Sequence, residues 1–215
     1  MSTFHGHDDS VRSVVWSDAS KLLTASIDRE IKLWDLEKKD NALLTYKGHS
    51  RSVDAICLLN DGKTLVSAGV DQSVRVWELE SGELVRSLNQ HTKPVHALAL
   101  RPGEGGLPMV ASAAGDRTIR LWQPTIGRMV RYVRLETEPL NIAWLSDGSQ
   151  IAASCVDGRI RVIDADQVKV TQNLPAIEGW AYAIAVHPSD GSLVVGGSDG
   201  QLRRVIVRAA EKNLP

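Results

Sequence analysis

The sequence predicts an all-β protein built from five copies of one small antiparallel sheet, and three observations support this. One heptapeptide pattern, an aspartate six residues before a tryptophan, occurs at Asp28–Trp34, Asp71–Trp77 and Asp116–Trp122. A histidine precedes each copy at a nearly constant distance. Within every unit the apolar residues alternate with polar ones, which is the period of a half-buried strand.

Two markers define the repeat along the whole chain. The marker aspartates are separated by 43, 45, 41 and 42 residues, and the histidine positions by 42, 42, 44 and 42 residues. The fourth and fifth units have Leu135 and Ile177 where the histidine is expected. Because both markers keep the same phase five times, they indicate an internal repeat.

The second unit shows the predicted strands most clearly. They are Val53–Leu59, Thr64–Gly69, Ser73–Trp77 and Glu83–Leu88. Such runs are too short for helices and are rich in Val, Ile and Leu. We expect a single domain over residues 1–215, with units at roughly 6–46, 47–88, 89–133, 134–174 and 175–207 and a tail at 208–215.

A four-stranded sheet of this size cannot bury both of its faces alone, and stacking several sheets around an axis solves that problem. The sequence resembles the WD-repeat β-propeller family. The residues that carry this resemblance are Gly6-His7 with Trp34-Asp35, Gly48-His49 with Trp77-Glu78, and His91 with Trp122. The resemblance covers roughly residues 6–207 and implies a β-propeller with one unit per blade.

The resemblance also implies a structural role for the marker residues, which in this family form a hydrogen-bonded chain inside each blade. The hydroxyl member is assigned two residues before the aspartate, so only the first unit has all four members. The predicted network residues are His7, Ser26, Asp28, Trp34, His49, Asp71, Trp77, His91, Asp116, Trp122, Asp157 and Asp199.

A catalytic interpretation of His7, Ser26 and Asp28 as a hydrolase triad is the alternative. The histidine and aspartate recur together in three units, whereas an active site needs only one. The recurring tryptophan is a hydrogen-bond donor with a large apolar surface. We therefore expect no catalytic residues, no cofactor and no metal site.

Binding is expected where the repeat varies. One such position follows the first apolar residue of each opening strand, and another lies in the turn next to each marker aspartate. The candidate partner-binding residues are Arg12, Asp54, His96, Leu140, Tyr182, Arg29, Gln72, Arg117, Arg159 and Trp180. Trp180 and Tyr182 are the predicted anchors.

The fifth unit is one strand short in the sequence pattern. The five blades therefore either close into a tight ring or form an open arc that another chain, a second copy or further sequence completes.

Composition narrows the function classes. Lys and Arg number 25 against 26 Asp and Glu, a net charge of −1, so we expect protein or peptide partners and no nucleic acid. Apolar runs are too short to cross a membrane, and Cys57 and Cys155 match no CxxC pattern, which favours a cytoplasmic location. The predicted function is a non-enzymatic interaction scaffold. The alternative is a regulatory or substrate-positioning segment of a larger enzyme or signalling protein.

Overall fold

The computed structural model describes residue 4 and residues 6–38, 41–103 and 106–207. The expected tail at 208–215 lies outside these ranges. Within them, a single 3₁₀ turn spans Pro124–Ile126 and all other regular structure is β. The strands are β1 (Val11–Trp16), β2 (Lys21–Ser26), β3 (Ile31–Asp35), β4 (Leu44–Tyr46), β5 (Val53–Leu58), β6 (Thr64–Gly69), β7 (Val74–Glu78), β8 (Leu84–Leu88), β9 (Val95–Leu100), β10 (Val110–Ala114), β11 (Thr118–Gln123), β12 (Arg128–Arg134), β13 (Pro139–Trp144), β14 (Gln150–Cys155), β15 (Arg159–Asp164), β16 (Lys169–Pro175), β17 (Ala181–Val186), β18 (Leu193–Gly197) and β19 (Leu202–Val205).

Consecutive strands pair antiparallel into five sheets, which we call blades one to five. Blades one to four each contain four strands in chain order, and blade five contains β17, β18 and β19. The first strand of each blade lies against the first strand of the next. These strands therefore line the centre of the molecule. The predicted all-β propeller of five blades, with a three-stranded last blade, is confirmed.

Apolar packing between neighbouring blades forms the core. The first interface joins Leu23, Ile31 and Tyr46 of blade one to Val53 and Trp77 of blade two. Equivalent clusters join blades two and three, three and four, and four and five. Each fully buried side chain of this size contributes about 1.5–3 kcal/mol. Blades two, three and four therefore bury apolar side chains on both faces.

The two ends of the array differ from the interfaces inside it. Val11 of blade one is 48% exposed, whereas its equivalent Val53 is fully buried. Leu202 of blade five is 79% exposed, whereas its equivalent Val74 is fully buried. Among the described residues, no apolar cluster joins blade five to blade one. Within residues 6–38, 41–103 and 106–207 the blades match the open arc of the two arrangements expected from the sequence.

Candidate functional site

A β-bulge lies near the start of the first strand in every blade. In blade one, Val11 pairs with Ser26 and Ser13 pairs with Ala25, so Arg12 has no residue opposite it. The residues skipped in this way are Arg12, Asp54, His96, Leu140 and Tyr182. A bulge redirects the side chain of its extra residue, and bulges are frequent next to functional sites.

The five bulged residues lie around one central cavity of about 470 Å³. Between them stand smaller side chains from the same strands, such as Ser13, Ala55 and Ala97. The structure therefore brings together the five residues that sequence analysis selected at the strand openings. Their role in binding stays a prediction.

The polar side chains at this cavity form local pairs. Ser52 Oγ donates to Asp54 Oδ1 at 2.5 Å, and Arg12 Nε lies 3.8 Å from the same oxygen. His96 Nε2 lies 2.7 Å from Glu138 Oε1. The Arg12 side chain is 54% exposed and that of Asp54 is 12% exposed, and an ion pair with one partner in solvent at 3.8 Å contributes little to stability. These groups remain available to a ligand at little cost to the fold.

An aromatic pair of blade five lies beside the central cavity, which Tyr182 lines. The rings of Trp180 and Tyr182 are 5.9 Å apart between centroids, with an angle of 68° between their planes. Trp180 is 52% exposed and Tyr182 is 51% exposed. Aromatic side chains with much exposed area are frequent energetic centres of protein interfaces.

The turns after the marker aspartates lie beside the strand openings, because β2 ends opposite the start of β1. Arg29, Gln72 and Arg117 have left-handed φ angles of 75°, 68° and 63°, where residues other than glycine are uncommon. Blades four and five have Gly158 and Gly200 in that position, both at φ 72°.

Arg159 does not lie in the equivalent turn position. It is one residue further along, in β15, where its Nε donates to Asn173 Oδ1 at 2.6 Å. Grouping Arg159 with the other three turn residues was therefore wrong. Gly158 takes the left-handed position in blade four, and Arg159 has the position of Glu30, Ser73 and Thr118 in the first three blades.

The marker residues form one hydrogen-bonded chain in each of the first three blades. In blade two, His49 Nδ1 lies 2.8 Å from Asp71 Oδ2, and His49 Nε2 lies 2.7 Å from Ser67 Oγ. Trp77 Nε1 donates to the same Ser67 Oγ at 2.8 Å. The same geometry is formed by His7, Asp28, Thr24 and Trp34 in blade one, and by His91, Asp116, Ser112 and Trp122 in blade three.

Assigning Ser26 to this chain was wrong, because the hydroxyl lies four residues before the aspartate rather than two. Trp34 pairs with Leu22 across the ladder, so its indole reaches the diagonal neighbour Thr24. Ser26 is two residues further along, where its Oγ donates to the Asp9 carbonyl and accepts from the Asp28 amide. Blades one, two and three therefore each have all four members.

The hydrogen bonds are consistent with a neutral histidine, protonated on Nδ1, beside an ionised aspartate. A serine hydroxyl that accepts from the indole can donate its proton to His Nε2, and His Nδ1–H then donates to the carboxylate. Burial lowers the pKa of His91, which agrees with a neutral ring. Burial opposes charge on Asp71, yet hydrogen bonds from His49, Ser73 and the Ser50 amide outweigh it and lower the pKa of Asp71.

This chain has the order hydroxyl, imidazole, carboxylate that a hydrolase triad has. Here, however, Ser67 and Ser112 are fully buried and each already accepts an indole N–H. A substrate carbonyl cannot approach an oxygen in that position in blades two and three, and in blade one the hydroxyl of Thr24 likewise accepts the indole N–H of Trp34. The arrangement connects the turn after the second strand to the start of the blade, which is a structural task.

Blades four and five satisfy the marker aspartate differently. Arg161 donates to Asp157 through two bonds, of 3.0 and 2.8 Å, and its side chain is 5% exposed. Arg203 Nη2 lies 3.2 Å from Asp199 Oδ2. Sequence analysis did not identify these pairs, although a basic residue recurs four positions after each aspartate.

The described part of the chain gives little support for a metal site, a reactive cysteine or a membrane-spanning helix. No group of three or more His, Cys, Asp or Glu there has the geometry to hold a metal ion. Burial raises the pKa of Cys57 to about 12 and that of Cys155 to about 11, so both thiols are protonated near neutral pH. No helix in these residues is long and apolar enough to cross a bilayer.

The molecule is a repeat propeller of the WD type, as its blades, the buried His–Asp–hydroxyl–Trp chains of blades one to three and the central cavity show. The family model of the WD domain, G-beta repeat, matches residues 1–35, 41–78, 82–123 and 137–164. The chain belongs to this family, whose propellers generally serve as binding scaffolds.

One curated relative is similar over part of the chain. It is the U3 small nucleolar RNA-associated protein 15 homolog of Gallus gallus, 33% identical over 102 residues. The similarity covers 47% of this chain and 19% of that relative's length.

Proposed function

We propose that this chain is a non-enzymatic scaffold that binds a protein or peptide partner at the mouth of the central cavity. The observation that carries the proposal is that five bulges direct five chemically different side chains at one cavity. Symmetric packing needs no such variety, whereas selective recognition does. The family's general use as a binding scaffold supports the same interpretation.

Trp180 and Tyr182 are the anchors of the proposed interface. They lie side by side, are half exposed and stand next to the cavity that Tyr182 itself lines. A partner that covers both rings removes a large apolar area from water, with polar contacts from Arg12 and Asp54 at the rim.

Affinity capture with the anchors removed tests this proposal. We expect the Tyr182→Ala variant, alone and combined with Trp180→Ala, to recover at most about a tenth of each partner at an unchanged melting temperature. Tyr132→Ala is the matched control, because Tyr132 is also half exposed but lies on the outer strand β12. Undiminished capture by the Tyr182 variant would contradict the proposal.

The relative's name associates it with a small nucleolar RNA, so the capture is repeated after RNase treatment. We expect recovery to survive the nuclease, since the chain carries no basic excess. Loss of the captured partners after RNase treatment would contradict the proposal that the chain binds them through protein contacts alone. A cytoplasmic location is part of the proposal, and nucleolar fluorescence of the tagged chain would argue against it.

A further inference from the structure

The segments that surround the central cavity have the same backbone arrangement in all five blades. In each blade the residue just before the marker aspartate donates its backbone N–H to a carbonyl oxygen two residues before the bulged residue. The segments joined in this way, which we call the mouth loops, are 6–10 with 27–30, 47–52 with 70–73, 89–94 with 115–117, 135–138 with 156–158, and 176–180 with 198–201. Because their backbones are equivalent, the blades differ at this end mainly in the charge of their side chains.

The mouth loops of blades two and three are basic. Arg51, Lys93 and Arg117 are exposed there, and none of them forms an ion pair with another described residue. The carboxylates in these segments are Asp71 and Asp116, whose side chains are only 4% and 6% exposed. Each of the two also has an arginine 3.6 or 3.8 Å away. The exposed positive charge of these two blades is therefore not compensated locally.

The mouth loops of blades four and five are acidic. Glu136 and Glu178 are exposed, and neither has an ion pair in the part of the chain that the structure describes. A third carboxylate, Glu138, is 37% exposed beside the cavity. These four segments contain no Lys, Arg or His, and Arg161 and Arg203 of the adjoining strands are paired with the marker aspartates. The exposed charge on this side of the cavity is therefore negative.

Blade one carries both signs at the same end, with the exposed Asp8 and Asp9 and the exposed Arg12 and Arg29. The electrostatic potential therefore changes sign across the cavity, from blades two and three to blades four and five. Complementary charge selects partners and orients them as they approach, and like charge rejects them. A uniformly charged partner, such as a nucleic acid backbone, meets like charge on one side.

The aromatic pair lies on the acidic side. Trp180 follows Glu178 by two residues, and its ring and that of Tyr182 are half exposed. A Lys or Arg side chain is attracted to the face of an exposed indole or phenol ring, and a neighbouring carboxylate adds to that attraction. The anchor position of blade five therefore suits a basic side chain of the partner.

We propose that the partner segment bound across the mouth loops is bipolar. Its basic residue lies against Trp180 and Tyr182, and its acidic residues lie over Arg51, Lys93 and Arg117. This inference rests on the function proposed above and adds the charge pattern and the orientation of the bound segment.

Two synthetic peptides of equal composition are the probes. The bipolar peptide, labelled with fluorescein, is Arg-Arg-Gly-Ser-Gly-Ser-Gly-Ser-Glu-Glu-Glu, and in the second peptide the same arginines and glutamates alternate. Fluorescence polarisation with the full chain at low ionic strength should show binding of the bipolar peptide about fivefold tighter than that of the alternating one. The difference should decrease as salt is added, because salt screens exposed charges.

Neutral variants locate the charges that matter. The triple variant Arg51→Gln, Lys93→Gln, Arg117→Gln should weaken the bipolar peptide about tenfold; glutamine already occupies the equivalent turn of blade two as Gln72. The matched control is the triple variant Lys63→Gln, Arg128→Gln, Lys169→Gln. These three cations are exposed at the opposite end of the blades, so binding should change less than about twofold.

A nitroxide group on the peptide tests the orientation. Attached at the arginine end, it should broaden the indole resonance of Trp180 in the NMR spectrum, and attached at the glutamate end it should not. Equal broadening from both ends would overturn the proposal, as would equal binding of the two peptides or an equal loss in the two triple variants. A short oligouridylate that binds more tightly than the bipolar peptide, and loses affinity in the first triple variant, would show a nucleic acid site instead.

The two proposals can fail separately. Undiminished capture by the Tyr182→Ala variant refutes the scaffold function itself. Capture that depends on Tyr182, together with equal binding of the bipolar and alternating peptides, refutes the charge pattern alone.

Discussion

Blades two and four solve the same structural problem with different chemistry. In blade two, a carboxylate, an imidazole, a hydroxyl and an indole form one buried chain. In blade four, Leu135, Ala153 and Ile163 occupy the last three of these positions, and Arg161 pairs with the remaining Asp157. Both blades keep the four-stranded sheet and a left-handed residue directly after the aspartate, which is Gln72 in blade two and Gly158 in blade four.

The difference shows that the polar chain is not required to form a blade. A buried polar group is costly when it loses its partner, whereas replacing all partners by apolar groups is nearly neutral. Blade four has replaced the three uncharged members together and has kept the aspartate. The arginine four residues later, which lies 3.6 Å from the aspartate in blade two, makes two hydrogen bonds to it in blade four. The stability of blade four then comes from apolar packing, and each single change in blade two has a larger expected cost.

The largest expected effect is that of removing the indole of blade two. Trp77→Ala deletes a side chain that is 1% exposed and leaves Ser67 without its donor, so we expect a loss of about 3–5 kcal/mol in the free energy of unfolding. Ile163→Ala changes the equivalent position in blade four and should cost less, about 2–3 kcal/mol. Urea denaturation measures both, and equal losses would remove the distinction between the blades.

A smaller effect is expected from the hydroxyl alone. Ser67→Ala leaves both His49 Nε2 and the indole N–H of Trp77 unpaired in a buried site, so the unfolding free energy should fall by about 2–3 kcal/mol. Ser154→Ala is the control, because Ser154 is equally buried on the corresponding strand of blade four but makes only one long bond of 3.4 Å. Similar losses in the two variants would contradict the role of the chain.

The smallest effect is a dependence of stability on pH. Burial lowers the pKa of His91 below its ordinary 6.5, so from about pH 6.5 downwards the unfolded chain takes up a proton that the folded chain resists. Stability should therefore fall as the pH falls through that range. It should fall again below about pH 3.8, because Asp71 and Asp116 also have lowered pKa values.

The His91→Leu variant tests this prediction more sharply. Leucine is the residue at the equivalent position of blade four, Leu135. Denaturant midpoints between pH 7 and pH 5 should then change less with pH than in the unaltered chain. An unchanged slope would mean that His91 is not held neutral in the fold.

The strands, the repeat and the short last blade could be predicted because alternation and marker spacing are local properties of the sequence. The offset of the hydroxyl could not be decided in the same way. Thr24 and Ser26 lie on the same face of one strand, and only the register with Trp34 selects between them. The recurrence of Ser67 and Ser112 at the same offset was the signal that could have found it.

The sequence pattern also did not decide between the closed ring and the open arc, and it did not predict the ion pairs of blades four and five. Apolar residues such as Val11 of blade one and Leu202 of blade five also occur at the two ends of the array, so the apolar pattern does not tell which blade faces are covered. In the sequence Arg161 has the same place in the repeat as Arg75, and the pattern does not show that the side chain of Arg161 is 5% exposed whereas that of Arg75 is 17% exposed. The bulges that aim Arg12 and Tyr182 at the cavity depend on pairing across strands.

Hydrogen exchange of the six indole N–H groups, followed by NMR in D₂O with resonances assigned through single Trp→Phe variants, tests most directly whether the marker residues hold the blades together. We predict slow exchange at Trp34, Trp77 and Trp122, whose N–H groups donate to buried hydroxyls, and immediate exchange at the exposed Trp16 and Trp180. Exchange at Trp77 and Trp122 as fast as at Trp180 would contradict the structural role of these residues.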